Sequence, residues 1–245
     1  MYNFGGEKMV YTSINNDKIK NIKKLHNKKY RDQLGLFLIE GEHLLKEATT
    51  LEYIIVLEGH DIDTLVDKII VSKSVMKYLS NLDCPPKVMG VCRKLSNKMM
   101  GNKILVLDNI QDPGNLGTII RSAVAFNFDT LIIGNNGVDL YNSKVVRASQ
   151  GMLFHLNIII CDLEDKLNEL KTNNYHIVGT DVVKGKRIKE VAKFEKICII
   201  MGNEGQGVSS NIKNMCDDFI YIDMNNLCES LNVGVAASII MYEMR

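Results

Sequence analysis

Residues 104–134 read ILVLDNIQDPGNLGTIIRSAVAFNFDTLIIG. An apolar run at 104–107 gives way to a polar turn holding Pro113 and Gly114, then to a helical pattern over 117–128, then to a second apolar run at 131–133. Both runs are apolar at every position rather than at alternate ones, the pattern of strands covered on both faces of a parallel sheet. Strand, helix and strand in this order make a parallel crossover unit.

The same texture extends downstream. Apolar runs at 156–161, 176–179, 197–201 and 219–222 recur, with helical patterns at 163–172 and 231–244. The C-terminal part is therefore expected to be an α/β unit with a parallel sheet. Upstream, the polar stretch SNKMMGN (96–102) is the best linker candidate. Before it, LGLFLIEGEHLLKEA, YIIVLEG, KIIVSK and KVMGVC alternate strand-like and helical patterns, as in a small α/β domain ending near Leu95. Ile19, Ile22 and Leu25, behind Asn15, Asn16 or Asp17 as caps, predict a short amphipathic helix. A length of 245 residues suits two domains, read as 1–97 and 102–245.

Hydrophobic residues make up 46% of the chain and charged residues 24%, with only 3 prolines, which excludes disordered, collagen-like and coiled-coil classes. The N-terminal MYNFGGEKMV has no basic stretch leading into an apolar run, and no run approaches the ~18 residues of a membrane helix. The expectation is a cytoplasmic protein with no membrane partner. Cysteines 84, 92, 161, 198, 216 and 228 form no CxxC pair, and histidines 26, 43, 60, 155 and 176 form no pair at ligand spacing, so no metal is expected. The net charge of +1 hides an imbalance: between residues 8 and 31, seven lysines and Arg31 face only Asp17.

Ligands of an open parallel sheet gather where strands end, so the turns after strands are the places to look. Three are unusual. DNIQDPGNLG (108–117) precedes a helix carrying Arg121; MGNEGQG (201–207) holds three glycines around Glu204; and IDM (222–224) is followed by SLNVGVAA (230–237). Glycines admit close approach of a ligand to main-chain amides. Their spacing is neither that of a dinucleotide fingerprint nor of a Walker A loop.

Taken together, NLGTIIRSA, MGNEGQG and SLNVGVAA resemble the motifs of the SpoU (TrmH-like) family of SPOUT RNA 2′-O-ribose methyltransferases. Residues 12–45, TSINNDKIKNIKKLHNKKYRDQLGLFLIEGEHLL, resemble that family's N-terminal substrate-binding domain, and DLYNSKVVRASQGMLFHL (139–156) resembles its ribosomal-RNA-acting branch. The resemblance implies a SPOUT-type parallel sheet with a C-terminal trefoil knot, plus a small α/β domain like ribosomal protein L30e. It also implies S-adenosylmethionine as cofactor and a homodimer formed through the C-terminal domain. Carried over residue by residue, the catalytic set is Asn115, Arg121, Glu204, Ser230 and Asn232, and the cofactor contacts are Thr180, Gly202, Ile222, Met224 and Leu231. Arg121 is read as a clamp on the target phosphate, with proton removal as its alternative role. In the context of an RNA enzyme, Lys18, Lys20, Lys23, Lys24, Lys28, Lys29 and Arg31 become RNA contacts. Ribosomal RNA, 23S in particular, is the expected substrate ahead of transfer RNA. The family's Ile-Pro-Met is Ile222-Asp223-Met224 here. That departure is the single feature favouring a second reading, a catalytically inactive RNA-binding or ribosome-assembly factor with the same fold.

Overall fold

The computed structural model describes residues 9–181, 185–191, 193–225 and 227–245. The chain divides into two units, one formed by residues up to Leu95 with Tyr141–Phe154, the other by Ser96–Leu140 with His155–Arg245. This is not the single cut that the sequence predicts. Residues 141–154 join the first unit because their aromatic rings find partners there. The rings of Tyr141 and Phe154 have centroids 4.7 and 6.0 Å from that of Phe37, and the Leu95 amide donates to the Tyr141 hydroxyl at 2.9 Å.

The first unit runs β1 (Val10–Tyr11), α1 (Asp17–Lys24), α2 (Lys28–Leu34), β2 (Leu36–Glu40), α3 (Glu42–Glu47), β3 (Leu51–Leu57), β4 (Asp67–Val71), α4 (Lys73–Leu79) and β5 (Val88–Arg93). Its strands form a mixed sheet in the order β1-β4-β3-β5-β2, with β5 antiparallel to both neighbours. Helix α1 starts where Asn16 caps it, accepting from the Lys18 amide at 2.9 Å. Ile19, Ile22 and Leu25 are all buried beneath it, which leaves the lysines between them facing outward.

Arg31 corrects an expectation. It is only 5% exposed, and its Nη1 donates to the carbonyls of Leu25 and His26 at 2.8 and 2.7 Å. A guanidinium spent on the two carbonyls of the turn after α1 is not available to a phosphate, so Arg31 leaves the RNA-contact set and becomes a structural residue.

The chain continues as β6 (Lys103–Leu107), α5 (Pro113–Ala125), β7 (Thr130–Gly134), α6 (Ser143–Ala148, in the first unit), β8 (Asn157–Cys161), α7 (Leu163–Thr172), β9 (His176–Thr180), β10 (Lys186–Arg187), α8 (Ile188–Val191), β11 (Ile197–Met201), α9 (Ser210–Lys213), β12 (Asp218–Tyr221) and α10 (Val233–Glu243). Seven strands make an all-parallel sheet in the order β10-β12-β9-β11-β6-β7-β8. The chain steps outward from β6 through β7 to β8, then crosses to the far side of β6, where β9 stands one strand away. β11 fills the gap. The direction of winding thus reverses between β6 and β11, and it is outside the carboxyl ends of strands at such a reversal that an open α/β sheet forms its ligand crevice. Leu107 lies opposite Met201 in the register, so the turns that follow the two strands start level with one another.

Helix starts differ from expectation, in either direction, where a polar cap sets them. α5 begins at Pro113 rather than 117, because Asp112 accepts from the Asn115 amide at 2.8 Å and a proline in the first turn has no amide to satisfy. α10 begins at Val233 rather than 231, capped by Asn232.

Candidate active site

Beyond β11 the glycine-rich loop closes on itself. The amides and carbonyls of Asn203 and Gly207 exchange hydrogen bonds of 3.0 and 2.9 Å, with Gly207 at φ +68°. Gly202 has no room for a side chain: a Cβ there would lie 2.0 Å from the Gly207 carbonyl carbon and 2.1 Å from the Val208 nitrogen. Gly205 is different, its nearest neighbour being an Asn203 side-chain oxygen at 3.7 Å.

This closure presents Glu204 to the turn after β6. Its carboxylate accepts from the Asn115 side-chain amide at 3.0 Å and from the main-chain amides of Asp112 and Gln111 at 3.3 and 3.4 Å. Burial pushes the Glu204 carboxyl upward, but the Asn115 amide and the main-chain donors outweigh it and hold the group below the usual carboxylate range. Because a carboxylate only accepts, Asn115 must present its nitrogen to Glu204 and its oxygen elsewhere. That oxygen accepts from Asn232 Nδ2 at 2.9 Å. Asn232 in turn accepts from the amides of Gly234 and Val235 at 2.9 and 3.2 Å, capping α10. One directed chain of hydrogen bonds therefore joins all three unusual turns.

Beside this chain lies a cavity of about 450 Å³. Thr180, Gly202, Ile222, Met224 and Leu231, the five residues expected at a cofactor, all line it, as do Glu204 and Ser230 of the catalytic set. Asn115 and Asn232 stand behind Glu204 and line no part of it. Arg121 is not brought to the cavity either. Six residues along a helix turn a side chain about 120° away from Asn115, and Arg121 is exposed, with no hydrogen bond or ion pair among the described residues. Glu204 thus ties down main-chain amides and Asn115, not the arginine.

In the first unit the lysines are interleaved with tyrosines. Lys18 lies 5.9 and 5.7 Å from the ring centroids of Tyr11 and Tyr53, Lys23 lies 5.5 Å from Tyr78 and Lys24 5.6 Å from Tyr30. Lys28 pairs with Asp32 at 3.4 Å. Lys20 and Lys29 are exposed and have no partner among the described residues. Lys23 is the half-buried member; desolvation lowers its ammonium below the ordinary lysine value, with the Glu40 carboxylate opposing the change. Among the described residues no group of three or more His, Cys, Asp or Glu is arranged to hold a metal.

Sequence reasoning missed the Gln111 and Asp112 amides that hold Glu204. A main-chain donor carries no residue-type signature, and only the capping aspartate hinted that this turn was ordered. It also missed Asp181 and Lys213, which line the cavity.

Residues 102–242 match the model of the SpoU rRNA methylase family, and residues 16–90 match that of an MRM3-like substrate-binding domain. Over 242 residues the chain is 35% identical to the 23S rRNA (guanosine(2553)-2′-O)-methyltransferase RlmP of Bacillus subtilis (strain 168), covering 95% of this chain and 98% of that one. The crystal structure of an RNA 2′-O ribose methyltransferase superposes with a TM-score of 0.80 at 30% identity, covering 96% and 98% of the two chains. The fold is shared as well with the SpoU methyltransferase AviRb of Streptomyces viridochromogenes, solved in complex with AdoMet, at a TM-score of 0.82 and 24% identity over 94% and 97% of the two chains.

Proposed function

The chain belongs to the SpoU rRNA methylase family, and from that premise we propose how it works: as an RNA 2′-O-methyltransferase that methylates a ribose hydroxyl of 23S ribosomal RNA, with S-adenosylmethionine as cofactor. The observation that carries the reading is the directed chain from Glu204 through Asn115 to Asn232 at the rim of the cavity. Transfer RNA is the less favoured substrate, because RlmP, alike over nearly the whole chain, is named for 23S rRNA.

The cavity fits the cofactor. Its volume lies within the usual range for small-molecule sites, about 300–1,000 Å³, and it is walled by apolar side chains and by a glycine-rich main chain. When bound, S-adenosylmethionine supplies an electrophilic methyl on a sulfonium. The residues of this chain supply alignment. In-line transfer needs the attacking oxygen held against the methyl, and rigid positioning is where most of the catalytic gain in such a step arises. Glu204, Asn115 and Asn232 fix the three turns that shape the rim, and Ser230 offers an exposed hydroxyl on the cavity wall.

Arg121 acts as a phosphate clamp, its guanidinium remaining protonated and suited to bidentate contact. Its face of α5, with exposed Thr118 and Ala125, adjoins α10, where Ser122 and Ser238 hydroxyls meet at 2.7 Å and where Val235 and Tyr242 are 47% and 49% exposed. A second copy of the chain docks on this face, so that the arginine completes a site in the dimer. The second unit, Ser96–Leu140 with His155–Arg245, is the catalytic domain, with the trefoil knot of the family, and the first unit, residues up to Leu95 with Tyr141–Phe154, is the RNA-binding domain, acting through Lys18, Lys20, Lys23, Lys24, Lys28 and Lys29. The enzyme works in the cytoplasm; no helix among the described residues is long and apolar enough to cross a membrane.

The test is direct. Purified protein with methyl-labelled S-adenosylmethionine is given 23S rRNA or tRNA from cells lacking the gene, and labelled positions are mapped. A single 2′-O-methyl site in 23S rRNA is expected; label confined to tRNA overturns the substrate, and no transfer to either RNA overturns the activity.

A further inference from the structure

The cavity is chemically lopsided. Its lining includes apolar side chains, among them Met201, Ile220 and Val233. Charge on the lining comes from Asp181, Glu204, Glu229 and Lys213, so that Lys213 is the only cation there among the described residues. Glu204 is committed to the turn after β6. Lys213, the last residue of α9, places its Nζ 3.9 Å from Asp181 Oδ2, beyond hydrogen-bond length, and its ammonium makes no hydrogen bond among the described residues. Both side chains are partly shielded, at 40% and 28% exposure. An ammonium has three donors, so Lys213 has donors to offer a ligand without leaving its place beside Asp181.

We propose that Lys213 and Asp181 form the receptor for the amino-acid end of S-adenosylmethionine, with Lys213 taking its carboxylate and Asp181 its α-ammonium. The inference rests on the cofactor reading above and deepens it. A zwitterion needs both signs a few ångströms apart, and this pair supplies them at one corner of the cavity. The adenine, a flat group with a large apolar face, goes to the apolar side chains of the lining. The pair therefore selects ligands that carry the amino-acid tail and is indifferent to those that lack it.

Isothermal titration of the full chain with three compounds tests this: S-adenosylmethionine, S-adenosylhomocysteine, which keeps the tail without the sulfonium charge, and 5′-methylthioadenosine, which lacks the tail. Lys213→Gln is expected to weaken the first two by about tenfold, the loss of one charge-assisted contact, and to leave the third within twofold. Asp181→Asn should show the same selectivity, and Lys213→Arg should restore most of the affinity. Equal loss for all three compounds, or loss for none, overturns the assignment. Wild-type protein that binds none of the three overturns the cofactor reading itself, and the assignment falls with it.

Discussion

Asn115 donates to Glu204 at 3.0 Å across 89 residues of chain, and this one bond fixes which way both amides of the Asn115–Asn232 pair must face. Reversing any member therefore sets donor against donor or acceptor against acceptor along the whole chain of bonds.

Asn115→Asp is the sharpest probe of that order. It places a carboxylate against Glu204, and turnover should fall at least a hundredfold while Asn115→Gln falls less. In a cycle of Asn115→Ala with Glu204→Gln, unfolding free energies should be non-additive by about 1 kcal/mol, since the two share a network. Additive losses would show that the bond does not couple the turns.

Glu204 also predicts a dependence on pH. Its folded carboxyl titrates lower than an ordinary glutamate, about 4.3, so its contribution is fully present above that value and is lost as pH falls through the lower folded value. Urea unfolding of wild type and Glu204→Gln between pH 3 and 6 should give a gap that is constant at the upper end and closes toward the lower. A gap that widens on acidification contradicts the depressed carboxyl.

The loop glycines should behave differently from one another. Gly202→Ala forces a methyl into the backbone of Gly207 and Val208, with a stability cost of about 1–3 kcal/mol and loss of cofactor affinity, whereas Gly205→Ala, which would meet only an ordinary contact at 3.7 Å with Asn203, should bind the cofactor within twofold of wild type. Calorimetry on the two variants decides it; equal behaviour would mean that the loop is not closed as described.

For Arg121→Ala the expectation is unchanged S-adenosylmethionine affinity with methyl transfer abolished, and Arg121→Lys should recover little, because a point charge does not replace a fork. Val235→Glu with Tyr242→Glu should convert a dimer to a monomer in light scattering and remove activity with it. A monomeric wild type overturns the docking face.

In the first unit, Lys20→Gln with Lys29→Gln should flatten the plot of log RNA affinity against log salt by about 0.7 for each phosphate contact removed. Arg31→Gln should do the opposite kind of damage, lowering thermal stability with the salt slope unchanged, since its partners are the Leu25 and His26 carbonyls. A slope change with Arg31→Gln alone would return that residue to the RNA surface.

What was legible in the sequence was whatever local chemistry controls. α7 spans the predicted 163–172, because Asp162 caps it and Leu163, Leu167 and Leu170 repeat on one face. β11 is likewise where an unbroken apolar run put it. Arg31 was illegible because its partners close a turn five and six residues back, and nothing in a lysine-rich run marks one cation as buried. Arg121 joins Asn115 in the catalytic set through the family resemblance, yet six residues on a helix rotate it onto another face. The migration of residues 141–154 depends on Phe37, far away in the sequence, and has no local signature at all.

The place of β11 in the sheet also dictates an order of assembly. β9 pairs only with β11 and β12, both of which follow it in the chain. A ribosome that has released residues up to Thr180 has delivered β6, β7 and β8, which can pair at once, and a β9 with no neighbour. Until β11 emerges, β6 keeps one bare edge, and such edges invite association with other chains. The catalytic unit is thus committed to late, long-range closure, which makes for slow folding, and its ligand crevice comes into existence only with the strand that closes the sheet.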